Sequence, residues 1–462
     1  MSSTIKFFLA KLFVIPKIIK QQRQWYDLTK DWSKKDWKNW VISEFDRLKK
    51  TPWTIKNYPE LKDLDFEDLA TLPLGIEYKE APENFPAAMK FKSSGTRTPK
   101  IIKLSKNDLR KVLLAVGRTL KEILGDVQVE RAMMMGFPGL ASGRINKFVV
   151  NIIAKKGTFV HASRWREEKK IITKNAPYDF LLMPLPYTID FFKHLDVDIF
   201  KDISFCYSGG DIMTDYIREL ISRKGMEFNK IIYPADVYGI SEIATGGLEV
   251  PPKVVKSMQY VPETNIMFLK KENGDVVNIF DAKTGDRGEL YITPLFDYMV
   301  PHISTDDVIE IVRDETPFHL PALRVIGRKG IHVELELKTL GYIKGIYTIL
   351  ARVKGIDIDG NEIINLIGRK FMSESIILVE EKPDKVLMRI YTSVPVKLEL
   401  LLDEFSRHSK LKYLNEDIEN NLLEIEIIHD PEVIAEIKDV IYSKYGGQAT
   451  LPWVIVQESE HN

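Results

Sequence analysis

A short loop between two apolar runs holds the chain's densest group of side chains suited to phosphate. It lies within residues 91–100 and contains Ser93, Ser94, Gly95, Thr96 and Lys100. Hydroxyl groups donate hydrogen bonds, lysine supplies a mobile positive charge, and glycine lets the backbone approach a ligand closely. A Walker loop would lead straight into a helix, whereas an apolar strand is predicted after Lys100. Clusters of Ser, Gly, Thr and Pro also form ordinary turns, so the rest of the chain must decide between a phosphate site and a turn.

Three later segments carry further residues that suit a nucleotide. Residues 205–211 read Phe-Cys-Tyr-Ser-Gly-Gly-Asp, residues 236–242 read Asp-Val-Tyr-Gly-Ile-Ser-Glu, and residues 302–307 read His-Ile-Ser-Thr-Asp-Asp. Gly327-Arg328 follows about twenty residues later. Each segment alone fits a tight turn at a strand end. Their joint order and spacing are much more specific.

In this order the segments resemble the motifs of the adenylate-forming acyl ligases, the superfamily of acyl-CoA synthetases and AMP-binding adenylation domains. The entry segment Asp-Phe-Glu-Asp-Leu-Ala-Thr-Leu-Pro at residues 65–73 is most similar to the phenylacetate–CoA ligase branch. The resemblance covers residues 60–330 by motif and the later residues only by architecture. It implies an enzyme that uses ATP to convert a small-molecule carboxylic acid into an acyl-adenylate with release of pyrophosphate. Coenzyme A is the implied acceptor and Mg²⁺ the implied metal.

The resemblance also assigns residues to the nucleotide. The phosphate loop is the set Ser93, Ser94, Gly95, Thr96 and Lys100. The double glycine lets adenine lie against the backbone, at Gly209, Gly210 and Asp211.

The remaining implied roles lie in the later motifs. Tyr238 stacks on adenine and Asp236 meets its amino edge, with Gly239 and Ser241 as further nucleotide contacts. Glu242 holds Mg²⁺, as a hard oxygen ligand should. Asp307 accepts the ribose hydroxyls, and Arg328 assists near the domain junction. The implied catalytic residues are Lys100, Glu242 and Arg328.

Several positions depart from the family pattern. Arg97-Thr98 replaces Thr-Gly in the loop, His302-Ile303 replaces an arginine and an aromatic residue, and Lys329-Gly330 replaces an acidic hinge residue. The family's lysine near the chain end is not found in residues 446–462, and Lys444 is the nearest candidate for it.

Composition narrows the kind of protein. Hydrophobic residues make up 44% and charged residues 29% of the 462 residues, as in ordinary globular proteins. Lys+Arg and Asp+Glu each number 66, so the zero net charge gives no support for a nucleic-acid partner. Cys206 is the single cysteine. It excludes intramolecular disulfides and cysteine zinc clusters, is expected to be a core residue, and favours a cytoplasmic location.

The first fifty residues combine 12 Lys/Arg with 5 Asp/Glu and contain Trp25, Trp32, Trp37 and Trp40. Residues 5–16 are apolar but too short, and too interrupted by lysine, for a transmembrane segment. No cleavage site of a signal peptide follows them. The pattern fits a helical cap that lays its aromatic side chains on the main domain, which we favour, or a helix at a membrane surface.

The order of elements predicts an α/β fold: a large N-terminal adenylate-forming domain of mixed sheets and helices, and a small C-terminal α+β domain of βαβ, ferredoxin-like type. Apolar residues at helical spacing predict a helix over residues 107–124, which Gly125 ends. Strands and a helix then alternate. The predicted strands are 131–135, 159–161, 180–183, 203–207 and 231–233, and the helix is 211–223.

The C-terminal region has a pattern of its own. Its predicted strands are 376–379, 386–391 and 423–428, and its predicted helices are 396–408 and 431–445. A boundary at Gly327-Arg328 gives an adenylation domain over residues 1–327, with residues 1–60 as its cap, and a mobile domain over residues 328–462.

Three functions stay open. The leading one is an acid–CoA ligase, with Phe137, Tyr187 and Tyr233 as candidates for the acyl pocket or for ordinary apolar packing. The second is an adenylate-forming enzyme with another acceptor. The third is a nucleotide-binding regulatory homologue with impaired catalysis, which the missing terminal lysine favours and Glu242 opposes.

Overall fold

The computed structural model describes residues 15–93, 100–125, 129–137, 141–210, 213–328, 331–348, 350–445 and 454–457. Its helices are α1 (Ile15–Thr29), α2 (Lys34–Leu48), α3 (Pro52–Asn57), α4 (Lys106–Leu124), α5 (Ala141–Ile153), α6 (Lys169–Asn175), α7 (Leu185–His194), α8 (Asp215–Glu227), α9 (Gly360–Phe371), α10 (Leu398–Arg407), α11 (Tyr413–Glu419) and α12 (Pro431–Tyr445). Its first strands are β1 (Met89–Lys92), β2 (Ile101–Leu104), β3 (Val129–Gly136), β4 (Ala154–His161), β5 (Tyr178–Pro184), β6 (Phe200–Gly209), β7 (Ile231–Tyr238), β8 (Gly247–Val250), β9 (Val254–Tyr260), β10 (Asn265–Lys271) and β11 (Val276–Asn278). The later strands are β12 (Arg287–Pro294), β13 (Ile303–Arg313), β14 (Ala322–Arg328), β15 (Ile331–Leu337), β16 (Gly341–Thr348), β17 (Leu350–Val353), β18 (Ile356–Asp359), β19 (Ser375–Glu381), β20 (Val386–Thr392), β21 (Leu423–His429) and β22 (Val454–Gln457). The α/β fold class predicted from the sequence is confirmed.

The chain divides into two compact units. The first comprises residues 1–210, 221–305 and 309–324, and the second comprises residues 211–220, 306–308 and 325–462. The domain bounds expected from the sequence stay a prediction.

Both ends of helix α4 are defined by capping residues that can be recognised in the sequence. The hydroxyl of Ser105 accepts the N–H groups of Asn107 and Asp108, and the Asp108 carboxylate accepts the N–H of Ser105 in return. Such a capping box stabilises a helix by about 1 kcal/mol. Gly125 ends the helix with a φ of +61°, a conformation that costs glycine little. The predicted helix is therefore confirmed at both ends.

A twelve-stranded sheet positions the motifs of the first unit. Its order is β11-β10-β12-β13-β14-β9-β8-β7-β6-β5-β3-β4, and β4, β3, β5, β6 and β7 run parallel to one another. The five strands predicted in this region are found here, and each is longer than predicted. Their apolar faces form a core with α5 and the end of α4, with these buried members: Val129, Ala132, Met134, Val150, Phe180, Phe205, Tyr207 and Ala235. Parallel strands end at one edge of a sheet, so the loops after them lie together.

The helix predicted over residues 211–223 begins later, at Asp215. The hydroxyl of Thr214 accepts the N–H of Ile217 at 3.4 Å, which is the position of an N-cap residue. The predicted start was therefore wrong by one turn.

The second unit contains a six-stranded sheet in the order β15-β16-β22-β19-β20-β21. The three strands and two helices predicted in its sequence are present. The sequence prediction missed β15, β16 and β22. Strand β22 has only four residues and lies between β16 and β19, pairing Val454 with Thr348 and with Ile377. A strand so short depends on distant partners, which no local pattern displays.

Across the described residues, no helix is both long and apolar enough to cross a membrane.

Candidate nucleotide site at the carboxyl edge of the parallel strands

The loop of residues 94–99 is closed at its base by its two flanking residues. Strands β1 and β2 form an antiparallel hairpin that pairs Lys92 with Ile101. Beyond that pair, the N–H of Ser93 donates to the carbonyl oxygen of Lys100 at 2.8 Å, and the N–H of Lys100 donates to Oγ of Ser93 at 2.9 Å. Ser93 is only 8% exposed. The hairpin therefore fixes both ends of the loop, while Ser94, Gly95 and Thr96 lie outside the described residues.

The side chain of Lys100 acts electrostatically on the half-buried carboxylate of Glu242. Its Nζ lies 5.9 Å from the ring centroid of Tyr78. Burial raises the pKa of Glu242, and the positive charge of Lys100 opposes that rise. Burial, followed by the charge of Glu242, also raises the pKa of Tyr78. The charges of Lys100 and Glu242 and the ring of Tyr78 thus influence one another. Desolvation of the Glu242 carboxylate favours a cation beside it.

The double glycine ends a parallel strand beside the second motif. Strand β6 pairs with β7 so that Ser208 faces Asp236 and Gly209 faces Val237. Gly210 follows with a φ of +90°, where glycine is strongly favoured. Among the described residues, no heavy atom lies within 4 Å of the place where a side chain would begin at Gly210. The main chain there is open to a flat ligand, whereas Asp211 lies outside the described residues.

The segment from Tyr238 to Glu242 is a turn that brings the chain back to the sheet. The N–H of Gly246 donates to the carbonyl oxygen of Tyr238 at 2.9 Å. A Cβ atom at Gly239 would lie 2.6 Å from the carbonyl oxygen of Ala244, so the turn has no room for a side chain there. Tyr238 is 8% exposed, and Ser241 is half-buried. Glu242 lies within this turn, four residues after the end of β7.

Asp307 and Arg328 belong to the second unit. Asp307 lies in β13 and is 7% exposed, and Arg328 is the last residue of β14. In the first unit, the structure brings Ser93 and Lys100 together and couples the charge of Lys100 to Glu242. It also pairs Ser208 with Asp236 and Gly209 with Val237.

Two of the three acyl-pocket candidates lie together. The ring of Phe137 is 5.5 Å from the ring of Tyr187 and 5.7 Å from that of His161. Phe137 follows β3, Tyr187 follows β5, and His161 is the last residue of β4. All three rings therefore lie at the carboxyl edge of the sheet. Tyr233 instead stacks on Phe205 at 5.3 Å within the sheet. Cys206 is fully buried, and burial raises the pKa of its thiol to about 12, which fits a core residue.

Sequence reasoning missed Tyr78 and the buried Glu249. Tyr78 lies in no motif, and only the folded chain places it beside Lys100 and Glu242. Glu249 lies seven residues after Glu242 in β8, and its isolated negative charge within an apolar strand was a signal that could have been noticed.

Among the described residues, no group of three or more His, Cys, Asp or Glu side chains is arranged to hold a metal. A single carboxylate is nevertheless a sufficient protein ligand for Mg²⁺ when phosphates and waters complete the octahedron. Glu242 fits that role, since desolvation raises the pKa of its half-buried carboxylate and so favours a cation beside it.

No model of a protein family matches the sequence, and no curated protein sequence matches it. Solved structures do match the fold. The chain is similar to 2-hydroxyisobutyryl-CoA ligase in the postadenylation state with 2-HIB-AMP, at 12% identity over 85% of this chain and 86% of that one, with a TM-score of 0.58. The same ligase with 2-HIB-AMP and CoA in the thioesterification state gives a TM-score of 0.50 at 12% identity, with the same coverage.

A second neighbour is o-succinylbenzoate CoA synthetase from Bacillus subtilis in complex with the acyl-adenylate OSB-AMP. It is 14% identical over 81% of this chain and 72% of that one, with a TM-score of 0.50. Such low identity carries information about the backbone and not about the reaction. The chain therefore has the fold of these acyl-CoA ligases of the adenylate-forming superfamily.

Proposed function

We propose that this protein is an ATP-dependent acid ligase of the phenylacetate–CoA ligase type. It activates a carboxylic acid as an acyl-adenylate and then transfers the acyl group to coenzyme A. The observation that carries the proposal is the relation between Lys100 and Glu242. Lys100, where the hairpin closes the hydroxyl-rich loop, acts electrostatically on the half-buried carboxylate of Glu242, and the double glycine follows a strand that pairs with the strand of Asp236.

The first step joins two anions, so the site must neutralise charge. A carboxylate oxygen of the acid attacks the α-phosphorus of ATP, and the bond from that phosphorus to the bridging oxygen breaks to release pyrophosphate. Lys100 and the hydroxyls of the loop bind the phosphates and hold them in line. Mg²⁺ bound at Glu242 would withdraw charge from the phosphate oxygens.

The adenosine half is oriented by the strand ends. Adenine lies on the open main chain at Gly209 and Gly210, Asp236 meets its amino edge, and Tyr238 stacks on it. Asp307 holds the ribose and Arg328 acts near the junction of a mobile C-terminal domain. In the second step, the thiol sulfur of coenzyme A attacks the acyl carbon, the bond to the phosphate oxygen breaks, and AMP leaves. With one cysteine and no disulfide, we place this reaction in the cytoplasm.

A second candidate rests on the chain end. Residues 445–462 contain neither lysine nor arginine, whereas the resemblance implies a lysine in a segment of this kind for adenylation. A nucleotide-binding regulatory protein with impaired catalysis would have this property, and so would a ligase in which Lys100 supplies the charge. Transfer to an acceptor other than coenzyme A is the remaining alternative.

One experiment separates these functions. Exchange of labelled pyrophosphate into ATP should be measured across a panel of aliphatic and aromatic carboxylic acids. We expect exchange with at least one acid, followed by thioester formation when coenzyme A is added. ATP binding without exchange for any acid would leave the regulatory function, and exchange without thioester formation would favour another acceptor.

A further inference from the structure

A buried carboxylate outside the predicted motifs holds the end of β7. Glu249 is fully buried, its Oε2 accepts the N–H of Asp236 at 2.7 Å, and its Oε1 accepts the N–H of Lys256 at 2.5 Å. We propose that Glu249 is a positioning residue for the nucleotide: it fixes the main chain at Asp236 so that Asp236 and Tyr238 meet adenine in the right place. This role rests on the proposed function.

The backbone pairing explains why a side chain is needed there. Strand β8 pairs with β7 at Leu248 and Gly247. On its other side, the register with β9 shifts between Leu248 and Val250, so Glu249 lies where that ladder is interrupted. Lys256, opposite the interruption, has a φ of +58°. A buried N–H without an acceptor is costly, and an ionised acceptor makes a stronger hydrogen bond than a neutral one. The carboxylate therefore satisfies main-chain donors on both neighbouring strands.

Glu249 is also tied to the strand of the double glycine. The hydroxyl of Tyr207 in β6 donates to the carbonyl oxygen of Glu249 at 2.6 Å. Two residues later, β6 reaches Gly209, and Asp236 pairs with Ser208 between them. One residue thus sets the position of the β7 end relative to the β6 end. Those two ends are the ones proposed to hold adenine.

The chain offers a matched control at the opposite edge of the same sheet. Oδ2 of Asp179 accepts the N–H of Glu130 at 2.7 Å, and Oδ1 accepts the N–H of Arg131 at 3.0 Å. These residues lie at the beginnings of β5 and β3, away from the carboxyl edge. Asp179→Asn therefore removes a carboxylate that likewise accepts two main-chain N–H groups but lies away from the strand ends proposed to hold adenine.

The test compares the wild type, Glu249→Gln, Glu249→Asp and Asp179→Asn. Glu249→Gln keeps the shape but turns an NH₂ donor towards a main-chain donor, and Glu249→Asp keeps the charge if the first variant folds poorly. Dissociation constants for ATP and GTP are measured by calorimetry, and amide hydrogen exchange is followed at residues 236–238. We expect Glu249→Gln to weaken ATP binding about tenfold, the effect of one charged hydrogen bond, and to reduce the preference for ATP over GTP.

Asp179→Asn should lower the melting temperature and leave both dissociation constants unchanged. Faster exchange at residues 236–238 in Glu249→Gln, together with the loss of ATP preference, would support the role. If Glu249→Gln leaves ATP binding unchanged, or if Asp179→Asn weakens it equally, the positioning role of Glu249 is overturned. The proposed function is not affected by that result. A wild-type chain that binds no ATP would overturn the proposed function and this role with it.

Discussion

Ser93 and Lys100 are joined by two hydrogen bonds across the neck of the loop that separates them. One bond is between main-chain groups, and the other uses the hydroxyl oxygen of Ser93 as the acceptor. The same residue that was predicted to contact phosphate therefore also closes the loop. The backbone of Lys100 is fixed by this closure, whereas its ammonium group reaches towards Tyr78 and Glu242.

Replacing Ser93 tests the hydrogen bonds to Lys100 that close the loop. We expect Ser93→Ala to raise the KM for ATP about fivefold, because loss of one hydrogen bond of about 1 kcal/mol loosens the loop without removing Lys100. Ser93→Thr keeps the hydroxyl and should restore most of the affinity. Steady-state kinetics of pyrophosphate exchange provide the measurement. An unchanged KM in Ser93→Ala would show that the hydroxyl neither closes the loop nor binds phosphate.

Lys100 and Glu242 should be the most sensitive side chains of the site. We expect Lys100→Ala and Glu242→Ala each to reduce pyrophosphate exchange by about 100-fold, the usual effect of removing an electrostatic group from a reaction centre. Lys92→Ala is the matched control, because Lys92 is exposed on the same hairpin. Comparable losses in Lys92→Ala would mean that only the overall charge of the hairpin matters.

The raised pKa of Glu242 also predicts a pH dependence. A buried carboxylate takes up a proton at a higher pH than an exposed one, and the protonated form does not bind Mg²⁺. Exchange should therefore fall on acidification, and added Mg²⁺ should move the fall to lower pH. A fall at the same pH across a range of Mg²⁺ concentrations would speak against Glu242 as its ligand.

His302 should make the fold sensitive to acid. It is fully buried and stacks on Phe268 at 4.7 Å, and burial lowers the pKa of its imidazole to about 4 from 6.5, with the backbone of Leu69 opposing only part of that effect. The unfolded chain binds the proton more readily, so this contribution to stability is complete above pH 6.5 and is lost as pH falls towards 4. Between pH 7.5 and pH 5 we expect a loss of about 2 kcal/mol.

Urea denaturation of the wild type and His302→Phe at the two pH values isolates this effect. The phenyl ring keeps a flat apolar side chain but cannot bind a proton, so the difference between pH values should shrink by about 2 kcal/mol. The comparison with the wild type is needed because Asp108 acts in the opposite direction. Burial raises the pKa of its carboxyl to about 6, so its contribution to stability increases as pH falls through that range.

A buried ion pair ties α4 to the segment before β10. Nε of Arg118 donates to Glu263 at 2.6 Å, its NH1 donates to Glu122 at 2.7 Å, and the Trp25 indole N–H donates to Glu263 at 3.1 Å. Glu263→Gln should lower the free energy of unfolding by about 3 kcal/mol, because Arg118 is left with too little negative charge in the interior. Glu130→Gln, at the half-exposed pair with Lys155, should cost less than about 1 kcal/mol. Equal effects in urea denaturation would mean that burial does not strengthen the Arg118 pair.

Much of the secondary structure could be predicted from the sequence alone, because it depends on neighbouring residues. A capping box and a terminal glycine define α4, and apolar runs with polar boundaries define the parallel strands, because these signals act within a few residues. The order of the motifs likewise indicated an adenylate-forming fold. Helix α8 was misplaced by one turn because Thr214 and residues nearer the double glycine are equally plausible beginnings in sequence.

Tertiary structure decided the rest, because contacts between distant residues leave no local pattern. It placed Tyr78 beside Lys100 and Glu242, moved Tyr233 into the sheet, and set β22 between two strands far from it in the chain. Above all, it gave the isolated charge of Glu249 two main-chain partners. A sequence shows that a carboxylate lies within an apolar strand, but only the folded chain shows that it is buried and which donors make that burial stable.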